Sequence, residues 1–270
     1  MGHILLPDWV KGHLWYYGNS NIPTKTDFER IRSKLTKLIS PDPDITIAIP
    51  AFNEQNNIVR TLSSISESGT SMATEILVID NNSTDKTGEI AESLGAKVIN
   101  EPAQGVSFAR QKGLLNAKGK YYISADADTI YPPGWIDEIT KPLSDSNVAC
   151  AYGIYSFIPP SDTTRIKFSL YEFARSILFW FKRRQKEYLL VRGANFSFRV
   201  LDGLKVGGFD TSDKVLEDGR MGLALSNLGA LSFVGSEKAR AWTAARRLTS
   251  EGNLSTAFLN RFKKEIKSEN

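Results

Sequence analysis

Two residue types are nearly missing from this 270-residue chain: cysteine occurs once, at Cys150, and histidine twice, at His3 and His13. A single cysteine excludes an intramolecular disulfide and fits a reducing compartment. With no second cysteine and no histidine beside it, Cys150 reads as core packing. The lack of histidine after His13 excludes a His-rich metal site and a Ser-His-Asp triad from the body of the chain. No run of about 18 apolar residues occurs, so no segment is expected to span a bilayer. Met1 to Trp15 lacks the basic stretch and small-residue cleavage site of a secretory leader. There is no Gly-x-x-x-x-Gly-Lys-Ser/Thr, and no Gly-x-Gly-x-x-Gly follows the first strand, which argues against a P-loop and against a dinucleotide oxidoreductase. The two signs of charge nearly balance, with 34 Lys and Arg against 30 Asp and Glu. A net charge of +4 suits an anionic substrate or a membrane surface, but it is too small to argue for nucleic acid.

What is present is alternation. Residues 1–44 read as an extension, with Trp9, Trp15, Tyr16 and Tyr17 packing onto the domain, a helix from Asp27 to Ile39 and a break at Pro41-Asp42-Pro43. Ile45 to Ile49 then forms a β-branched run, stopped by Pro50. Asn53 offers an N-cap for a helix carrying Ile58, Leu62 and Ile65. Glu75 to Ile79 is a second strand. Ser83, Thr84 and Asp85 cap the helix that Gly95 ends, and Ala96 to Ile99 is a third strand. Gly105 opens a helix over Val106–Asn116, and Tyr121 to Ala125 is a fourth strand. Strands that alternate with helices predict an α/β fold, a mostly parallel central sheet with helices on both faces. Ligands of such sheets bind at the carboxyl ends of the strands. That rule gathers Asn53 and Glu54, Asp80 and Asn81, Asn100, and Asp126 and Asp128 at one edge.

The second half is less regular. A strand is expected within Val191–Phe198, a turn at Gly207-Gly208-Phe209-Asp210, and a helix Met221–Leu228 preceded by Glu217-Asp218 and capped by Gly229. Arg165 to Lys186 is the unusual segment. Ile166, Leu170, Phe173, Ile177 and Phe181 share one helical face, Phe168, Tyr171, Leu178, Phe179 and Trp180 make the other faces apolar, and six basic residues flank them. It reads either as a core or dimer-contact helix or as an interfacial helix touching anionic lipid.

The residues suggest chemistry at the strand ends. Asp126-Ala127-Asp128 ends a buried strand, and two carboxylates there can seat a hard divalent cation that takes its remaining oxygens from phosphate and water. Arg110 either pairs with phosphate or lies on a solvated face. Asp80 either accepts hydrogen bonds from a bound base or caps the turn into Ser83 and Thr84. Glu217-Asp218 either serves the site or only favours a helix dipole. Asp126-Ala127-Asp128-Thr129 also resembles the phosphatase motif of the haloacid dehalogenase superfamily, though three strand-helix units precede it here.

Seven stretches in order resemble the family 2 glycosyltransferases over about residues 45–247. They are Ile47 to Glu54, Val78 to Asp85, Gly105 through Arg110, Ala125 to Asp128, Gly193-Ala194-Asn195, Gly207 to Asp210 and Glu217-Asp218-Gly219. The resemblance implies the type A (GT-A, Rossmann-like) nucleotide-diphospho-sugar transferase fold. It implies a UDP- or GDP-sugar donor, Mg²⁺ or Mn²⁺ as cofactor, and a glycan or lipid-linked acceptor. By the same resemblance, Pro50, Ala51, Asn53 and Glu54 line the nucleoside pocket, Asp80 meets the base, and Arg110 lies near ribose or phosphates. Asp126 contacts ribose or metal, Asp128 ligates the metal, Asp218 is the general base and Glu217 supports it. Arg246 and Arg247 either reach the diphosphate or are surface charges. Residues 45–135 then form the nucleotide-sugar half, 136–247 the acceptor half and 248–270 a helical tail. Gln111 departs from the Asn of many relatives, and the Gln-x-x-Arg-Trp signature of polymer synthases is missing. An inverting, non-processive, metal-dependent transferase for a cell-envelope glycan or glycolipid is expected, cytoplasmic or peripheral on the cytoplasmic membrane face, with residues 165–186 against membrane or a second copy. A catalytically silent sugar-nucleotide binder is the alternative.

Overall fold

A computed structural model describes residues 4–15, 22–160, 164–212 and 216–245, apart from the side chains of Leu178, Phe181 and Lys182. Tyr16, Tyr17, Arg246, Arg247 and the expected tail over 248–270 lie outside these residues.

The four expected strands form and lie side by side. They are β1 (Ile45–Ala51), β2 (Thr74–Asp80), β3 (Lys97–Asn100) and β4 (Tyr121–Ser124), in the order β3-β2-β1-β4 and all parallel. After them come β5 (Thr129–Ile130), β6 (Val148–Gly153), β7 (Tyr155–Ile158), β8 (Phe196–Arg199), β9 (Ala230–Val234) and β10 (Ala241–Ala244). Beyond β4 the sheet continues through β8, β6 and β9. Strand β8 is antiparallel to both neighbours, while β6 and β9 are parallel. Strands β5, β10 and β7 make a second, smaller sheet.

The helices are α1 (Asp8–Lys11), α2 (Lys25–Leu38), α3 (Ile58–Ser66), α4 (Thr87–Ser93), α5 (Val106–Leu115), α6 (Trp135–Thr140), α7 (Arg165–Gln185), α8 (Val200–Lys205) and α9 (Glu217–Ser226). They cover both faces because strand side chains alternate. Ile47 and Ile49 of β1, with Ile76 and Val78 of β2, pack on Ile31 and Leu35 of α2 and Leu62 of α3. Ala48, Leu77 and Ile79 turn the other way, onto Ala109 and Leu114 of α5. Each fully buried aliphatic side chain contributes about 1.5–3 kcal/mol. Trp15 joins the first core, and Trp9 packs beside Val10, Ile130 and Trp242. Cys150 is fully buried beside aromatic side chains of the second core, and that burial raises its thiol pKa.

Several local expectations are corrected. Pro50 does not stop β1, which runs on to Ala51. Its missing N–H faces the side of β4, as does the Ala48 carbonyl that accepts from Ala125, and β4 has already left the ladder there. Asn53 is not an N-cap: α3 starts at Ile58, and Asn53 adopts φ +54° in the preceding loop. Glu217 and Asp218 form the first turn of α9 rather than preceding it. That helix ends at Ser226 with Asn227 as its C-cap, so Gly229 is not the cap. A Cβ on Gly229 would lie 2.5 Å from the Asn147 carbonyl oxygen, so close approach to the start of β6 explains the glycine. Strand β8 occupies only the end of the expected Val191–Phe198 span, because residues 192–195 form a turn closed by the Asn195 N–H on the Arg192 carbonyl. Helix α7 is buried on one side only: Phe168 and Glu172 are inside, whereas Ile166, Leu170 and Phe173 are exposed.

Candidate active site

Pairing aligns the strand ends. Ala51 is opposite Asp80, and Asp80 opposite Asn100, so the loops after β1, β2 and β3 leave from one edge. Two of these loops are stitched together. The Asn53 N–H donates to Ser83 Oγ at 3.0 Å, the Thr84 N–H to Asn53 Oδ1 at 2.8 Å, and the Glu54 N–H to Thr87 Oγ1 at 2.8 Å. Asn53 and Asn82 both hold positive φ, a conformation that asparagine tolerates better than most residues. Asp80 Oδ1 accepts the Ser83 N–H at 3.0 Å, so Asp80 does cap the turn. Asn81 is buried and fixes the next loop, donating to the Glu101 and Ala103 carbonyls and accepting the Gly105 N–H at 2.8 Å. Gly105, at φ +147°, then opens α5 in a backbone state that favours glycine.

These elements enclose a cavity of about 510 Å³. Pro50, Ala51, Glu54, Arg110, Asp126, Asp128, Glu217 and Asp218 all line it, so residues up to 168 positions apart in the chain are brought together. Asn53 and Asp80 do not line it, and Arg246 and Arg247 fall outside the described residues. Asn81, gathered at this edge from the sequence, lines it too, as do Phe52, Gln104 and Val106, which the sequence did not single out. An exposed aromatic directly after β1, as Phe52 is, was the available signal.

Arg110 is the hub, and its solvated-face reading is corrected: it is buried. Its Nη2 meets Asp126 Oδ1 at 2.9 Å, and its Nε lies 3.1 Å from Asp218 Oδ1 and 3.8 Å from Glu217 Oε1. Nη1 donates to Ser124 Oγ and to the Gly193 carbonyl. Burial works against the guanidinium charge, but Asp218, Asp126 and Glu217 outweigh it and raise the pKa. Gly193 belongs to the same cluster. Its N–H donates to Asp218 Oδ2 at 2.7 Å, and a Cβ there would overlap the Arg110 guanidinium.

Three further residues position this cluster. Tyr131 accepts the Asp126 N–H at 2.8 Å and donates to the Ala194 carbonyl at 2.9 Å, stacked on Trp135. Asn195 is fully buried, accepting from Trp135 Nε1 and donating to the Ile154 and Ala239 carbonyls. Gln111, the departure from many relatives, accepts the Phe209 N–H at 2.7 Å and so holds the turn around Gly207-Gly208.

The two acidic sets differ in environment. Asp218 is pushed up to about 6, chiefly by burial, with Glu217 and Asp126 adding to the rise and Arg110 and the Gly193 N–H opposing it. Asp126 keeps 31% of its side chain exposed, and Asp128 Oδ1 accepts weakly from Thr243 Oγ1 at 3.3 Å. Five carboxylates line the described wall (Glu54, Asp126, Asp128, Glu217, Asp218) against one guanidinium, Arg110. Such a wall repels a diphosphate unless a cation accompanies it. Among the described residues no three His, Cys, Asp or Glu side chains cluster into a closed metal cage. Two aspartates facing a cavity fit Mg²⁺ or Mn²⁺, which take few protein carboxylates and fill their shell from phosphate and water.

A family model described as Glycosyl transferase family 2 matches residues 46–202. An uncharacterised protein of Methanocaldococcus jannaschii is 29% identical over 166 residues, covering 57% of this chain and 69% of that protein. The dolichol-phosphate mannosyltransferase of Pyrococcus furiosus is 28% identical over 108 residues, 38% of this chain, and only 31% of that enzyme is spanned. The solved mannosyltransferase PcManGT from Pyrobaculum calidifontis, in complex with GDP-Man and Mn²⁺, superposes with a TM-score of 0.57 at 19% identity, over 87% of this chain and 70% of its own. The architecture is therefore that of the GT-A transferases, and the phosphatase resemblance of Asp126-Ala127-Asp128-Thr129 is overturned. With more than half its length matched and its sheet built on the same plan, the chain belongs to glycosyl transferase family 2.

Proposed function

We propose that this chain is an inverting, metal-dependent transferase that moves one sugar from a nucleoside-diphosphate sugar to an acceptor hydroxyl during glycan or glycolipid synthesis. One observation carries the reading. The carboxylates that follow β4 and those of the first turn of α9 share one cavity around a single buried arginine. Residues 45–135 supply the donor side and 136–247 the acceptor side. Pro50, Ala51 and Glu54 hold the nucleoside, and Asp80, next to the cavity-lining Asn81, accepts from the base. Asp126 and Asp128 hold Mg²⁺ or Mn²⁺, which when bound offsets the charge of the diphosphate. The GDP-Man and Mn²⁺ of the Pyrobaculum neighbour support a nucleoside-diphosphate sugar, UDP- or GDP-linked, and a divalent cation here.

Asp218 is the proton acceptor. The acceptor oxygen attacks the anomeric carbon from the side away from the diphosphate and gives its proton to Asp218. The new C–O bond forms as the bond to the diphosphate breaks. A carboxylate pushed up to about 6 is a stronger base than an exposed aspartate and is still ionised at neutral pH. Arg110 holds Asp218 and Asp126 in place, and Glu217 supports the acceptor side. One base, with no carboxylate placed as nucleophile, gives inversion, and the missing polymer-synthase signature supports single-sugar transfer.

The test is a thermal-shift screen of UDP-, GDP- and dTDP-sugars with and without Mn²⁺, followed by NMR of the product formed on added acceptors. The right donor raises the melting temperature by mass action, more so with Mn²⁺, and the product has inverted configuration. No response to any donor, or a retained anomer, overturns the reading. Donor binding with no transfer to any acceptor assigns the chain to a silent binding subunit instead.

A further inference from the structure

We infer that α7 is a membrane-docking surface whose outward face beds into the interface of an anionic bilayer. This goes beyond the transfer reaction and stands apart from it.

Ile166, Leu170, Phe173, Ile177 and Trp180 recur at intervals of four and three, which puts them on one helical face. Each is between 49% and 67% exposed. The stripe runs about 21 Å along the helix at the usual rise per residue. Isolated exposed apolar side chains are ordinary, but a continuous row of this length marks an interaction surface.

The opposite face is fixed to the body, so the stripe is presented rigidly. Glu172 is buried and accepts from Arg165 at 2.7 Å, from the Phe157 N–H at 2.8 Å and from Ser156 Oγ at 3.2 Å. Arg175 lies over the Tyr155 ring at 4.1 Å and donates to the Tyr155 carbonyl, and Phe179 packs on Phe233. Rotating the stripe inward would break a buried ion pair.

Charge selects the occupant. Glu172 is the helix's sole acid, and it is buried. Among the described residues the exposed bases sit at the two ends: Lys167 near the start, and near the finish Arg184, over the Trp180 ring at 4.0 Å, with Arg183 beside it and 3.4 Å from Glu187. A second copy laid antiparallel on the stripe would set Lys167 against Arg183 and Arg184, and a parallel copy would set like against like. Both oppose self-pairing. An anionic lipid surface answers the apolar row and both basic ends at once. No helix among the described residues is long and apolar enough to cross a membrane, so α7 lies in the interface plane.

The experiment uses the full chain in co-sedimentation with vesicles of phosphatidylcholine alone and of phosphatidylcholine mixed with phosphatidylglycerol. The protein is expected to pellet with the mixed vesicles, weakly with the neutral ones, and less at high salt. The pair Leu170→Glu and Phe173→Glu lowers partitioning about tenfold or more, and the pair Lys167→Glu and Arg184→Glu removes the preference for anionic lipid. Both positions of the first pair are exposed, and an unchanged melting temperature and donor-induced thermal shift verify the fold. If that pair fails to fold, Leu170→Ser replaces it. Wild-type protein that stays in the supernatant with anionic vesicles overturns the proposal, as does a double Glu variant that pellets like wild type. A soluble dimer that the Glu pair dissociates, with no vesicle binding, hands the stripe to a second copy. Donor-induced stabilisation reads the transfer site independently, so either conclusion can fail without the other.

Discussion

The two acidic sets that face the cavity are held in opposite ways. Asp126 and Asp128 come from one short stretch beyond a strand end, and Asp126 keeps 31% of its side chain in contact with solvent. Asp218 arrives from α9, is 16% exposed, and touches the Gly193 N–H and the Arg110 guanidinium. The same side-chain type therefore sits in two environments, one suited to a cation and one that raises basicity, and environment rather than identity divides the roles. Arg110 spans both, so the comparison can be broken from either end or at its centre.

The sharpest cut is Asp218→Asn. It keeps size and the Gly193 contact but removes the base, so transfer falls about 10²–10⁴-fold while donor affinity by calorimetry is retained. Equal loss of donor binding would erase the distinction between the two sets. Cutting the centre with Arg110→Met leaves buried carboxylates without their cation. It is expected to cost about 3–5 kcal/mol in urea unfolding, and a cost below about 1 kcal/mol would show that the cluster is not held by charge. Asp128→Ala acts on the other set alone: the Mn²⁺-dependent part of the donor thermal shift disappears, and the Mn²⁺-independent part survives.

The smallest effect is in pH. Below about 6 the Asp218 carboxyl gains its proton, so kcat/KM is expected to fall about tenfold per pH unit, with a flat profile refuting the assignment. Stability carries the matching sign. The folded pKa is raised from 3.8 to about 6, so the unfolded chain ionises first, and between those values the fold loses stability as pH rises. Asp218→Asn removes that loss, and its stability relative to wild type should grow across the same window.

The parallel half was legible because its signals are local: β-branched runs, polar strand ends and intervening helical periodicity. The Asp126-Ala127-Asp128 and Glu217-Asp218 pairs were legible as candidates for the same reason. Their shared cavity rests on Arg110 and Gly193, 83 residues apart, a contact that no periodicity encodes. Asn53 misled because its side chain serves the Thr84 N–H across a loop instead of its own helix. Tyr131 was missed, and Asn195 was noted only within its matching stretch and given no role, for a similar reason. A buried phenol or amide must find hydrogen-bond partners, but the sequence does not say that those partners are the Asp126 N–H and the Trp135 indole. The short strand β5 is paired by β10 more than 100 residues on, so its two residues carry no signal of their own.

Cys150 has a practical consequence. The chain's lone thiol is sealed inside the second core, and burial disfavours its thiolate, the form that alkylating reagents attack. The exterior is thus silent towards maleimides without any engineering. A cysteine placed at Ile177 would be the one reactive handle, and an environment-sensitive fluorophore attached there would report directly on what that face of α7 meets.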